Sequence, residues 1–185
     1  KLIGDVIFRH DKAYMYCDSA YFFSDENSMD AYGHVRIEQG DSLSLSGKFM
    51  KYNGNTRMAH VRDSVVLNHK NSVLYTDSLN YDRNINMGYY FSKGKILHSD
   101  NELVSDLGYY YADEKNYYAV DSVVLINPNY RIYSDTLKYH TESEITYFCA
   151  PTRIENDSSI LYCEDGWYDT QNDVSAFGRN TQIYN

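Results

Sequence analysis

Apolar and polar positions along the chain repeat with a period of 29 residues. One aliphatic column runs Leu45, Leu74, Leu103, Ile132 and Leu161, and a second runs Leu67, Ile96, Leu125, Ile154 and Ile183. An aromatic column, Tyr52, Tyr81, Tyr110, Tyr139 and Tyr168, holds the same phase with no insertion or deletion. Three columns in one register mark a repeat protein, whose function is sought on a surface made by stacking. Polar turn clusters fall every 14 or 15 residues, two per repeat. They include His10-Asp11-Lys12, Gln39-Gly40-Asp41, Asn53-Gly54-Asn55, Asp82-Arg83-Asn84, Asn127-Pro128-Asn129 and Asp169-Thr170-Gln171-Asn172. Gly, Asn, Asp and Pro favour tight chain reversals, so each repeat is read as two antiparallel strands.

Side-chain parity predicts that these strands bend. Leu74 and Tyr81 are an odd number of residues apart, and a straight strand would send them to opposite faces. The step from the column Met58, Met87, Ile145, Val174 to the column Leu67, Ile96, Leu125, Ile154 has the same property. If all face one interior, each strand changes parity midway, at a bulge or a corner between sheets. The expected corners are small or polar: Gly47-Lys48, Asp77-Ser78, Asp106 and Asp135-Thr136 on one strand, Asp63-Ser64 and Asp121-Ser122 on the other. The alternative is that one column faces solvent, which Tyr tolerates. In the first repeat Phe23 falls on the Tyr column while Ile37 sits one residue short of its own, placing an irregularity between Ser24 and Ile37. The last residues end in mid-pattern on a strand. Edge-strand pairing is therefore expected of Gln182, Ile183 and Tyr184, and of Val6, Ile7 and Phe8 at the other end.

Composition supports an all-β reading: 43% hydrophobic residues and 21 Tyr against one Trp and two Pro. A single body spanning 1–185, or a piece of a longer chain, is the expected domain organisation. The net charge of −9, with Lys and Arg scattered, argues against nucleic acid as a partner. No apolar run reaches the length of a membrane-spanning helix and no secretion signal opens the chain, which begins at Lys1 inside a strand-like run as a processed or trimmed chain would. Cys149 and Cys163 lie symmetrically about Asn156, so a hairpin centred there would set them opposite each other, as a disulfide or as two thiols. His69 and His98 share a column, but both lie at turns without recurring Cys or carboxylate partners, and no metal or cofactor is expected. The Asp-Ser pairs recur with the corners, whereas a catalytic site would single out one copy, so no enzyme is expected.

Several segments resemble a known family. Ala31-Tyr32-Gly33-His34-Val35-Arg36-Ile37 fits a G-x-V-x-[IL] strand. Leu74-Tyr75-Thr76-Asp77-Ser78-Leu79-Asn80-Tyr81-Asp82 and Ile132-Tyr133-Ser134-Asp135-Thr136-Leu137-Lys138-Tyr139 fit the L-x-x-D-x-[LA]-x-Y pattern that follows it. These motifs resemble the OstA-like proteins of lipopolysaccharide transport, over nearly the whole chain. The sequence departs from the pattern at Asp63-Ser64-Val65 and Asp121-Ser122-Val123, which lack the Gly, and in its abundance of Tyr. The resemblance implies a twisted β-jellyroll, open at both ends, whose two sheets enclose an apolar trough. It implies a periplasmic protein, with association with the outer membrane a further expectation, that receives the acyl chains of lipopolysaccharide or a related amphiphile. It implies partnership with other lipopolysaccharide-transport components and head-to-tail stacking by strand pairing. The lipid-facing candidates are then Leu45, Leu74, Leu103, Ile132, Leu161, Leu67, Ile96, Leu125 and Ile154, with Tyr52, Tyr81, Tyr110 and Tyr139 at the rim. Two other readings stay open: a parallel β-helix that binds or cleaves polysaccharide, and a structural repeat that only associates with itself.

Overall fold

The computed structural model describes residues 1–10, 13–40 and 43–185, apart from the side chain of His10. The described residues contain 18 strands and no helix, and they form two compact units, Lys1–Ser92 and Lys93–Asn185. The first unit is an antiparallel meander of β1 (Leu2–His10), β2 (Ala13–Phe23), β3 (Ser28–Gln39), β4 (Leu43–Asn53), β5 (Met58–His69), β6 (Ser72–Asp82) and β7 (Met87–Tyr90). In the second unit most strands are split at their middle. It comprises β8 (Gly94–His98), β9 (Asn101–Ser105), β10 (Leu107–Tyr111), β11 (Asn116–Asn127), β12 (Tyr130–His140) and β13 (Ile145–Phe148). It continues with β14 (Thr152–Glu155), β15 (Ile160–Cys163), β16 (Asp165–Asp169), β17 (Val174–Gly178) and β18 (Gln182–Tyr184). The halves β9 and β10 together face β11, and β13 and β14 together face β12. Every pairing within the units is antiparallel, which excludes the parallel β-helix.

The bends are real and sit where parity required them. Register slips between Arg62 and Val65 on β5 and between Val120 and Val123 on β11, so two residues stand against one: Asp63-Ser64 against Asp77, and Asp121-Ser122 against Asp135. Both members of each pair lie in the left-handed region, at φ 68° and 59° for the first pair and 60° and 52° for the second. Gly33-His34 does the same on β3, at 72° and 43°, against Lys48 of β4. On the partner strand the bend turns the buried side from positions i and i+2 to position i+5. The triplets are Met15, Cys17 and Ala20; Leu74, Thr76 and Leu79; and Ile132, Ser134 and Leu137, all buried. The middle position is a hydroxyl for a reason. Thr76, Ser105 and Ser134 each donate to the carbonyl two residues ahead, at 3.3, 2.8 and 3.2 Å, so a buried hydroxyl is satisfied within its own strand across the bend.

A left-handed conformation costs a residue with a Cβ roughly 1–2 kcal/mol. Replacing the exposed Ser122 by Gly is therefore expected to stabilise the protein by up to about 1 kcal/mol, offset in part by the freer unfolded chain. A rise in thermal midpoint would show this, and a fall would mean that the serine side chain holds the corner.

The turns alternate in type. Four-residue turns close one end of the strands, and their last residues, Asn27, Arg57, Asn86, Lys115, Glu144 and Asp173, are all left-handed, with φ between 48° and 58°. In four of these turns the carbonyl of that residue accepts a hydrogen bond from the next turn in the same unit. Gly54 N donates to Asn27 O at 2.8 Å, Arg83 N to Arg57 O at 3.1 Å, Thr141 N to Lys115 O at 2.8 Å and Thr170 N to Glu144 O at 3.3 Å. Asn53, Asp82 and Asp169 precede their turns and accept turn N–H groups with their side chains, the Asx geometry that selects Asn and Asp there. The expected turns at His10-Asp11-Lys12 and Gln39-Gly40-Asp41 include residues outside the described ones.

Two expectations need correction. The irregularity of the first repeat does not lie between Ser24 and Ile37. Phe22, not Phe23, pairs with Met29 and so joins the row of Tyr52, and the whole of β2 and β3 is offset by one residue. The extra residue falls in the connection between Gln39 and Leu43, which spans three residues where that between His69 and Ser72 spans two. The second correction concerns cysteine. Cys149 and Cys163 are both free, because β14 and β15 pair with Cys163 opposite Thr152, centring the hairpin between Asp157 and Ser158 rather than on Asn156. Cys149 lies before the corner at Pro151, where its N–H donates to Thr136 O. It is exposed while Cys17 and Cys163 are buried, and burial raises all three thiol pKa values. A maleimide is expected to modify one thiol per native chain and three after denaturation, counted by intact-mass measurement.

Candidate apolar rows and their aromatic seam

Pairing register joins the two aliphatic columns into one row per unit. In the first unit the partners run Phe8, Met15, Ile37, Leu45, Leu67 and Leu74 across six strands. In the second they run Ile96, Leu103, Leu125, Ile132, Ile154, Leu161 and Ile183. Each residue therefore stands directly opposite another aliphatic or aromatic one, within side-chain contact. Met15, Leu45, Leu74 and Ile132 are buried. Ile37, Leu67, Ile96, Leu103, Leu125, Ile154 and Leu161 are half-buried, and Ile183 is exposed.

The aromatic column forms a second row past the bend. In the first unit its members alternate with smaller partners: Phe22, Met29, Tyr52, Ala59, Tyr81 and Gly88. In the second they run Tyr110, Tyr117, Tyr139, Thr146, Tyr168 and Ser175. Tyr52, Tyr81, Tyr110 and Tyr139 are all half-buried, so none of them stands fully in solvent. Between the two rows lies a floor of small residues at the bend. Ala20, Ala31, Val35, Val61 and Val65 are at most 1% exposed, and in the second unit Ala119, Val123 and Ser105 match them. Gly47 belongs to this floor: a Cβ there would meet Val61 Cγ1 at 2.6 Å. The column Gly47, Thr76, Ser105, Ser134 and Cys163 thus decides how closely the two half-strands approach. Its 29-residue period was available in the sequence, but its mixed chemistry hid it.

In the second unit the two halves touch along their far ends. Tyr130, at the start of β12, packs edge-on against Tyr168 of β16, with ring centroids 5.8 Å apart. The ring of His98, at the end of β8, lies 6.3 Å from that of Tyr139. Half-sheets that meet at the bend and again at this seam enclose the rows between them, the jellyroll arrangement. Tyr168 donates to Asp173 at 2.8 Å. Burial, reinforced by Glu144, pushes the Tyr139 phenol up to about 12, and burial likewise raises Tyr130 and Tyr168. His69 is half-buried, with its pKa lowered by desolvation and by Lys70.

Two surface depressions lie elsewhere. One, of about 660 Å³, is lined by Val124, Tyr133, Arg153, Tyr162 and corner residues such as Asp135 and Pro151. The other, of about 740 Å³, is lined by Tyr32, Arg36, Phe49, Arg62 and Asp63. Neither is lined by a member of the aliphatic or tyrosine rows. The expected edge residues divide: Val6 is buried against Cys17, Phe8 is half-buried, and Ile7, Gln182, Ile183 and Tyr184 are exposed.

The bent two-strand repeat with its apolar rows agrees with the comparison to known families, where the model for OstA-like protein matches residues 1–135. The chain belongs to the OstA-like family. In this OstA-like chain the 29-residue register continues past the matched segment through Tyr139, Ile154 and Tyr168. Among solved structures it is similar to that of LptH from Pseudomonas aeruginosa, the LptA-homologous periplasmic component of the lipopolysaccharide transport device. Identity is 14%, the match covers 72% of this chain and 79% of that one, and the TM-score is 0.31. No curated protein matches the sequence. No helix among the described residues is long and apolar enough to cross a membrane, and no cluster of metal-ligating side chains occurs among them.

Proposed function

We propose that this OstA-like chain is a non-enzymatic periplasmic lipopolysaccharide-transport protein, both units serving as parts of one domain, that holds acyl chains against its inner aliphatic rows. The observation that carries this reading is the register. Six and seven apolar residues stand opposite one another without a polar interruption, and most of them keep part of their surface accessible. At about 4.8 Å between strands, the seven-residue row extends roughly 29 Å, enough to accompany an extended acyl chain. Each methylene taken from water contributes about 0.8 kcal/mol, so affinity needs no charged contact, as suits an acidic carrier of an anionic glycolipid. Leu67 and Leu125 are the central contacts, with Leu45, Leu74, Leu103, Ile132, Ile154, Leu161 and Ile96 continuing the rows. Tyr52, Tyr81, Tyr110 and Tyr139 form the rim of the trough in this reading, with rings against lipid and hydroxyls in water. The exposed Ile7, Ile183 and Tyr184 fit strand pairing with a second copy or another transport component, which would set the outer membrane within reach.

The closed packing of the small residues at the bend favours a different reading, a structural repeat with no cargo. Photocrosslinking separates the two. A photoreactive residue at 67 or 125 is expected to capture lipopolysaccharide in cells, and one at the outward positions 75 or 133 is not. Silence from all four sites, or equal capture from all four, would remove the carrier reading.

A further inference from the structure

The outward face of the second unit carries a row that the inner trough does not use. Tyr109 pairs with Tyr118, Tyr118 with Lys138, Lys138 with Tyr147 and Tyr147 with Trp167, on five neighbouring strands. Their chain neighbours Tyr117, Ala119, Leu137 and Phe148 are buried, so alternation turns this row to the outside, where all five are half-exposed. At about 4.8 Å per strand the row extends roughly 19 Å. Lys138 Nζ lies 5.9 Å from the Tyr118 ring centroid and 5.3 Å from that of Tyr147. No carboxylate pairs with it among the described residues, although the chain has nine more acidic than basic charges. The outward acids of β16 are engaged: Asp165 with Arg179 at 2.6 Å, and Asp169 with the turn N–H groups of Gln171 and Asn172 at 3.0 Å.

The repeat architecture does not require this row. At the equivalent outward positions the first unit carries Tyr21, Asp30, Lys51, His60, Asn80 and Tyr89, so rings stand only at the two ends of that row, and in its middle His60 bonds Asn80 at 2.8 Å.

We propose that Tyr109, Tyr118, Lys138, Tyr147 and Trp167 form a binding site for acidic saccharides. The apolar C–H faces of pyranose rings stack on the aromatic rings, and a carboxylate or phosphate substituent pairs with Lys138. An ammonium held between two rings is already partly desolvated, which strengthens its attraction to an anion. One unpaired cation on an acidic protein suits a sparsely charged sugar rather than a polyanion, which the surrounding field would repel.

Trp167 is the sole tryptophan of the chain, so its emission reports on this face alone. The full chain is titrated with two matched pairs, trehalose 6-phosphate against trehalose and cellobiouronic acid against cellobiose, and with inorganic phosphate. A saturable emission change is expected with one or both acidic disaccharides, weakened roughly tenfold or more in their neutral counterparts and in Lys138→Met, the worth of one charge-assisted hydrogen bond. Which acid responds identifies the substituent, and added salt should weaken the response. Tyr147→Leu, which keeps the charge and removes a ring, should also weaken it. No saturable change, equal binding of neutral sugars, the same response to inorganic phosphate alone, or full binding by a folded Lys138→Met would each overturn the proposal. If either variant fails to fold, the matched pairs on the unaltered protein decide. None of these probes has an acyl chain, so the outcome is independent of the trough.

Discussion

Leu137→Ala is expected to lower stability by about 2–5 kcal/mol, while Leu125→Ala on the neighbouring strand should cost less than about 2 kcal/mol. The two leucines differ in where they sit relative to the bend. Leu137 is 2% exposed and pairs with Ala119 and Phe148, so its removal leaves a hole that backbone on both sides prevents from closing. Leu125 is half-buried in the aliphatic row, and water or lipid can occupy the space it vacates. Urea denaturation followed by Trp167 emission reports on both, since all three residues belong to the second unit. Lipopolysaccharide should stabilise the unaltered protein more than Leu125→Ala, because a ligand that binds only the folded state stabilises it in proportion to affinity. Equal losses at 125 and 137 would mean that the row is sealed core.

The second large effect is alkaline unfolding through the aromatic seam. Tyr139 titrates from an ordinary value of 10.0 in the unfolded chain to about 12 in the folded one, and Tyr130 and Tyr168 are also raised. A group with a raised folded pKa gives stability that is fully present below the unfolded value and is lost as pH rises through the folded one. The urea midpoint should therefore be flat below pH 10 as far as these groups are concerned and fall between pH 10 and about 12. Tyr139→Phe removes the ionisation and keeps the ring, so it should flatten that fall. An unchanged slope in the variant would show that the phenol is not desolvated by the seam.

Much of the fold was legible in the sequence because its causes are local. Asx residues before a turn, left-handed residues at its end and a parity change midway through the strand all act within a few residues, and Asp63-Ser64 and Asp121-Ser122 bend as their chemistry requires. Errors arose where position depended on counting through a connection. The extra residue before Leu43 shifts a whole strand pair without altering its internal pattern, so comparing Phe23 with Tyr52 misplaced it. Symmetry about Asn156 likewise placed the centre of the hairpin by counting, whereas its register centres it between Asp157 and Ser158 and sets Thr152 opposite Cys163. The column at the bend has no hydropathy signature because Gly47, Thr76, Ser105, Ser134 and Cys163 share small size, and only Thr76, Ser105 and Ser134 bond the backbone ahead of them. The candidate rows were readable as columns. Their partial accessibility was not, since it depends on how far apart the floor at the bend holds the half-strands.

Within each unit, the bonds from one four-residue turn to the next make whole copies interchangeable. Excising 29 consecutive residues from within the second unit would rejoin a carbonyl to an N–H of the same kind, leaving every rung with a neighbour it recognises. Removing a single residue from a strand would instead turn one half of its side chains outward. The molecule can therefore be lengthened or shortened only in full steps, and its reach is a quantity that gene duplication sets in units of one repeat.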